Sequence, residues 1–338
     1  MYATAEGTGR YIQRFPSYRD APFYRTVLGL EVSSLGIGTY LGAADDASDQ
    51  AYTSALLAAT EGGVNFFDTA INYRGQRSER AIGAALKSLQ RDEIVLCTKA
   101  GFLTPGAVPG FLKPGEVCGG MHSMDPAFLA DQIDRSRANL GVDTIDVFYL
   151  HNPETQLSFL TREEFEERIR RAFEGLEQQV ADRKIRWYGA ATWDGFRTRG
   201  ALCLPRLAEL AREAGGPEHH FRFIQLPFNF GMVEAYLERP ESVLQAATRL
   251  GIAAVASATL QQRQVLDQMP ASIADRLPGL TTNAQRAIQF TRSTPGISVA
   301  LVGMGRPDHV RENLGVAAVA PLTTAEYQRL YQGDYQHP

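Results

Sequence analysis

The sequence predicts an α/β fold, a closed (β/α)₈ barrel in a single domain, and three observations predict it. Eight apolar runs of strand length, rich in β-branched residues, recur along the chain, and a segment of helical length follows each of them. Most of the runs are nearly continuous in hydrophobicity, the pattern of parallel strands covered on both faces; half-exposed antiparallel strands alternate instead. No GxGxxG turn follows the first run, which weighs against the open doubly wound sheet that is the nearest alternative. A chain of 338 residues suits one such barrel.

Taken in order, residues 1–22 are an N-terminal extension and 23–338 the barrel domain. YRTVLGL at 24–30 can pair with the run after it as a hairpin closing the barrel bottom. The eight runs lie at 32–38, 64–67, 93–98, 144–150, 185–190, 221–226, 251–257 and 296–303. The helical segments lie at 48–63, 77–90, 125–141, 161–180, 204–215, 238–251, 281–294 and 306–317. Asp125 followed by Pro126 is an N-cap with proline at the first helical position, and Gly141 and Gly251 stand where a helix C-terminus wants glycine. Residues 101–124, rich in Gly and Pro, form a long loop after the third strand of the barrel, of the kind that serves as a lid or binding loop.

Composition narrows the function. Hydrophobic residues make up 44% and charged residues 21% of the chain, enough apolar material for a large core. Lys and Arg number 34 against 38 acidic residues, and no basic block tracks a phosphate backbone, so nucleic acid is not the expected partner. No apolar h-region opens the chain and no run reaches a membrane-spanning length, so the sequence reads as a soluble cytoplasmic protein. Cys97, Cys118 and Cys203 are far apart, without a CxxC pair, and Cys97 in IVLCT reads as a small buried hydrophobe.

The active site of a (β/α)₈ barrel lies at the C-terminal ends of its strands. There Asp68 ends the second run, Lys99 the third and His151 the fourth, while Tyr73 sits in the loop leaving the second. A phenol has an ordinary pKa near 10, so it passes a proton at neutral pH only if a neighbour favours phenolate character. Lys99, held charged by Asp68, can supply that help, and His151 can orient a substrate oxygen. The set suits reduction of a carbonyl, where a developing alkoxide needs a proton. The histidines, including His122, His219 and His220, form no cluster at the strand ends, so no metal site is expected, and His219 and His220 fall on the opposite rim.

The stretches NFFDTAINY, IVLCTKAGF and IDVFYLHNPE resemble three signature regions of the aldo-keto reductase superfamily. VSSLGIGTYLG, IRWYGAATW, IQLPFN, GIAAVASATL and ALVGMGRPDHVRENL extend the resemblance from about Val27 to Leu314. It implies Tyr73 as general acid, tuned by Lys99 and Asp68, with His151 positioning the carbonyl and a nicotinamide cofactor lying across the barrel mouth. It places the carboxamide partners at Thr192 and Gln225, and the adenosine phosphate end along Gly303, Met304, Arg306, His309, Glu312 and Asn313. Three positions depart from the family pattern: Ala191-Thr192 replaces Ser-Asn, Ser257 replaces a stacking aromatic residue, and Arg306 is the one evident partner for a 2′-phosphate. NADP and NAD both stay open, with family habit leaning to NADP.

Tyr40, Phe102, Trp193 and the 101–124 loop are the candidate substrate walls. The expected activity is interconversion of an aldehyde or ketone, possibly a sugar, with its alcohol. Two alternatives stand beside it: redox-neutral epimerisation or elimination on a sugar with a retained cofactor, and a cofactor-binding regulatory subunit without turnover.

Overall fold

The computed structural model describes residues 1–331 except 199–200, 268 and 270–272; the expected end of the barrel domain at 338 lies outside the described residues. An antiparallel hairpin, β1 (Tyr24–Val27) and β2 (Leu30–Ser33), precedes eight parallel strands. These are β3 (Leu35–Gly38), β4 (Phe66–Asp68), β5 (Val95–Ala100), β6 (Ile145–His151), β7 (Ile185–Ala191), β8 (Phe221–Pro227), β9 (Ala253–Ser257) and β10 (Ile297–Gly303). They close in chain order, with β10 pairing back onto β3, so the (β/α)₈ barrel is formed and the open sheet is not. Among the described residues no helix is long and apolar enough to cross a membrane.

The helices begin where local chemistry starts them. The Asp125 side chain accepts from Phe128 N at 2.9 Å and Pro126 is the first helical residue of Pro126–Leu140, whose end at Gly141 takes φ 67°. Thr161 and Glu164 form a reciprocal capping box for Arg162–Ala181. The segment expected at 238–251 shortens to Val243–Arg249, capped by Ser242, after a separate turn at Glu234–Leu237. That expected at 306–317 is helical only over Pro307–Asn313 and tightens to 3₁₀ geometry over Leu314–Ala318.

Because side chains alternate along a strand, the strands divide the core in two. Phe66, Val95, Cys97, Val147, Tyr149, Phe223, Val255, Val299 and Leu301 fill the barrel interior, together with Val27, Leu30 and Val32 of the hairpin, which plug the bottom. Phe67, Leu96, Phe148, Leu150, Ile224 and Val302 point outward into the layer beneath the helices. The inward parity runs two residues further on each strand and presents Asp68, Lys99, His151, Ala191, Gln225, Ser257 and Gly303 to the top of the barrel. Gly36 keeps the interior open: a Cβ there would lie 2.7 Å from Leu301 Cδ2.

The extension contains a helix that the sequence reading leaves out, Ala5–Ile12, capped by Thr4 and docked beneath the barrel. Tyr11 Oη donates to Thr60 O at 2.6 Å, and Ala3 N donates to Asp146 Oδ1 at 2.8 Å. Asp146 is fully buried; its other oxygen takes Leu96 N at 2.9 Å and Arg91 Nη2 at 2.6 Å. One carboxylate thus joins the extension, β5, β6 and the turn before β5. Asp146→Ala strands a nearly buried guanidinium and two main-chain donors, so urea unfolding should show a loss of about 3–5 kcal/mol.

Candidate active site

At the mouth, Asp68 and Lys99 are nearly buried, 4% and 1% exposed. Lys99 Nζ donates to Asp68 Oδ1 at 2.6 Å and to Thr69 O at 2.8 Å, while Gln225 Nε2 donates to Asp68 Oδ2 at 2.8 Å. Burial works against the Lys99 charge, but Asp68 and Tyr73 more than offset it, and the ammonium is held upward of its ordinary value. Nζ lies 5.2 Å from the centroid of the Tyr73 ring.

Tyr73 is gripped by rings. Tyr40 meets it edge-on at 5.0 Å and His151 at 5.8 Å; Phe102 in turn stands edge-on between His151, at 5.2 Å, and His122, at 5.1 Å. Burial pushes the phenol up to about 12, against the pull of Lys99 toward phenolate. The sequence reading expects Lys99 to favour the phenolate; desolvation outweighs it, so the group stands protonated at neutral pH. Burial and then the Lys99 charge push His151 well below the ordinary histidine value, so its ring is neutral, and Nδ1 has no protein partner.

His122, considered in the sequence only as a metal ligand, is a latch. Its Nε2 lies 2.8 Å from His151 O and its Nδ1 accepts from Gln156 Nε2 at 3.0 Å, which puts the proton on Nε2. Gly101 at the loop base is a necessity, since a Cβ there would lie 2.5 Å from His122 Nε2 and 2.7 Å from His151 O. Glu154 is a second contributor. Its Oε1 accepts from Trp193 N, Asp194 N and Gly195 N at 2.7, 3.0 and 3.1 Å, holding the loop after β7 to the loop after β6. Only the Gly/Pro content of 101–124 and the closing glutamate of IDVFYLHNPE mark these places in the sequence.

The other predicted residues divide. Thr192 is buried, with N donating to Gln225 O at 2.8 Å and its hydroxyl 3.4 Å from the same oxygen. Ser257 is half-buried at the end of β9, and Gly303 is exposed at the end of β10, where a Cβ would meet Leu41 Cδ1 at 3.7 Å. Met304 is fully buried in the outer core, so its side chain is turned from the mouth. Arg306, His309 and Glu312 are exposed and Asn313 is buried; Arg306 Nη2 lies 3.3 Å from Asp308 Oδ2. Trp193 stands on the rim, 47% exposed, and Tyr40 is 59% exposed. His219 and His220 lie before β8 on the opposite rim, and among the described residues no group of three or more His, Cys, Asp or Glu could hold a metal.

The sequence model of the aldo/keto reductase family matches residues 34–266. A D-threo-aldose 1-dehydrogenase from a Pseudomonas species is 26% identical over 319 residues, 86% of this chain and 91% of the relative. A putative voltage-gated potassium channel subunit beta from Schizosaccharomyces pombe is 24% identical, covering 88% of each chain. The solved structure of an aldo/keto reductase from Klebsiella pneumoniae in complex with NADP and acetate superposes with a TM-score of 0.66 at 21% identity, over 90% of this chain and 92% of that one.

The latch has a measurable pH signature. His122 is lowered from 6.5 to about 4 by burial, partly opposed by its bond to His151 O, so the unfolded chain takes up the proton first. Its contribution is complete above about 6.5 and is lost as pH falls toward 4, by at most about 3 kcal/mol. Unfolding free energies at about pH 7 and about pH 5 should diverge less in His122→Gln than in the wild type. An unchanged difference would remove His122 as the source.

Proposed function

Because the chain belongs to the aldo/keto reductase family, whose sequence model spans residues 34–266, we propose that it is an NAD(P)-dependent oxidoreductase interconverting an aldehyde or ketone and its alcohol. The observation that carries this reading is the buried Lys99–Asp68 pair, 2.6 Å apart, set against a protonated phenol and a neutral imidazole at one barrel mouth. The likeness to the D-threo-aldose 1-dehydrogenase, an oxidoreductase, supports it.

The residues fit a nicotinamide cofactor. Gly303 presents exposed backbone at the end of β10, and exposed Arg306, His309 and Glu312 follow it as the edge that would hold the adenosine phosphate end. Thr192, Gln225 and Ser257, at the tops of β7, β8 and β9, are the groups that would face the nicotinamide end, and Gln225 would do so while keeping its bond to Asp68. Met304 and Asn313, both buried, would contribute chiefly through backbone and packing. When bound, the cofactor supplies the hydride that carbonyl reduction consumes. Arg306 is the partner for a 2′-phosphate, which leans the reading to NADP, with NAD retained.

This chain's own residues handle the proton. Tyr73 Oη gives its proton to the oxygen of the former carbonyl, a far stronger base than a phenolate, and Lys99 stabilises the phenolate left behind. Asp68 keeps Lys99 charged and in place, with Gln225 satisfying its second oxygen. His151, uncharged, can hydrogen-bond the substrate oxygen without competing as an acid. Tyr40, Phe102 and Trp193 supply an aromatic wall for the substrate body. In the oxidative direction the same steps run backward, with the phenolate accepting the alcohol proton.

A second reading, a regulatory subunit that binds cofactor without turnover, is favoured by the likeness to the putative channel subunit of Schizosaccharomyces pombe. Turnover separates the two. Tyr73→Phe should lower kcat/KM by about 10²–10⁴-fold while the cofactor Kd stays within a small factor. A variant with full turnover would sink the role given to Tyr73, and cofactor binding without turnover on any carbonyl by the wild type would favour the regulatory reading. In direct binding, Arg306→Ala should weaken NADP by roughly tenfold or more and leave NAD nearly unchanged.

A further inference from the structure

The chain is strained immediately after Tyr73. Arg74, Gly75 and Gln76 take φ of 51°, 62° and 70° in succession, a left-handed run that glycine adopts freely and side-chain-bearing residues do not. Such outliers persist where the surroundings over-determine them. Here the surroundings are the bonds of the Arg74 side chain, which is 2% exposed. Nε donates to Ala43 O at 2.7 Å, Nη2 donates to Asp45 O at 3.3 Å and pairs with Asp49, and the guanidinium stacks over Tyr52, 5.3 Å from its centroid.

Every one of these partners belongs to the loop after β3 and the helix Asp46–Glu61 it enters. That loop also carries Tyr40, whose ring meets Tyr73 edge-on at 5.0 Å, and Tyr52 Oη donates to Leu41 O at 2.8 Å. The contacts close a circuit: Tyr73 to Arg74 through the backbone, Arg74 to Ala43 and Asp45 through its guanidinium, and Tyr40 back to Tyr73 through the rings. Asp49 does not need Arg74 to balance its charge, because Arg77 Nη2 lies 2.6 Å from its other oxygen.

We propose that Arg74 is a positioning residue, whose guanidinium fixes the backbone of Tyr73 against the loop after β3 so that the phenol is presented to substrate beside Lys99. The inference rests on Tyr73 as the general acid. A planar fork on a short tether suits this work, since it reaches two carbonyls and a carboxylate with fixed relative directions, and a lysine ammonium does not.

Arg74→Gly tests it, because glycine accepts φ 51° and removes the guanidinium without adding backbone strain. The expected result is a fall in kcat of about 10²-fold, as a displaced reacting group gives, with KM for the carbonyl and the Kd of NADPH within a few-fold of wild type. The limb of the pH–rate profile belonging to Tyr73 should shift, Arg74→Lys should not restore kcat, and millimolar guanidinium should partly restore Arg74→Gly. In a double-mutant cycle, Arg74→Gly should cost almost nothing in the Tyr73→Phe background.

An Arg74→Gly enzyme with wild-type kcat overturns the proposal. So does an equal loss in both Tyr73 backgrounds, which marks a general structural effect. If Arg74→Gly does not fold, the same cycle with Arg74→Lys decides between these outcomes. Tyr73→Phe alone with full turnover overturns the reading of Tyr73 and this proposal with it, whereas an inactive Tyr73→Phe beside an unimpaired Arg74→Gly overturns only this proposal.

Discussion

The buried pair of Lys99 and Asp68 is the interaction on which the rest of the mouth depends. Removing two charges from water is costly, and the pair persists because its partners are close at hand: Asp68 is answered by Lys99 and Gln225, and two of the three Lys99 donors by Asp68 and Thr69 O, with Tyr73 beside the ammonium. Its consequences spread outward by electrostatics. The fixed ammonium helps keep His151 neutral, while it tempers the desolvation that holds Tyr73 protonated. Burial thus sets the protonation state of both groups that would meet a substrate, and the ion pair biases each of them, with burial at His151 and against it at Tyr73.

That pair can exist because strand geometry turns both members inward at the upper ends of neighbouring strands. Asp68 pairs in register with Cys97, and Lys99 with Tyr149, one step higher around the barrel. Both follow, at a spacing of two, apolar residues that fill the interior: Phe66 on β4 and Cys97 on β5. A shift of one residue in either strand would send the charge outward among the helices, so the packing of the interior and the electrostatics of the mouth share one register. The hairpin plug and the Asp146 junction secure that register from below.

Above the strands, the loops are held by polar side chains gripping distant backbone. His122 bonds the main chain of His151, Glu154 gathers three amides after β7, and Arg74 takes two carbonyls after β3. A loop carries backbone donors and acceptors that no ladder satisfies, and a buried side chain supplies both the missing bonds and a fixed position. The long 101–124 segment is accordingly tied at its base, with Ser123 N on Gly101 O at 2.8 Å and Leu103 N on Met121 O at 2.8 Å.

The sequence by itself determined the eight strands, their order and the residues at their upper ends, because continuous apolar runs and strand parity are local properties. NFFDTAINY placed a carboxylate and a phenol at the rim for that reason. Only the tertiary structure decided what depends on distant partners. The Ala5–Ile12 helix, with two glycines and little apolar surface, forms because Thr4, Arg10 and Tyr11 find caps and anchors across the barrel floor. Met304 reads in sequence as a rim residue, yet packing draws it into the core. Whether Lys99 or burial governs the Tyr73 phenol is a contest between a charge and the water excluded around the ring, where Tyr40 and His151 pack against it. No spacing along the chain records how much water those rings exclude.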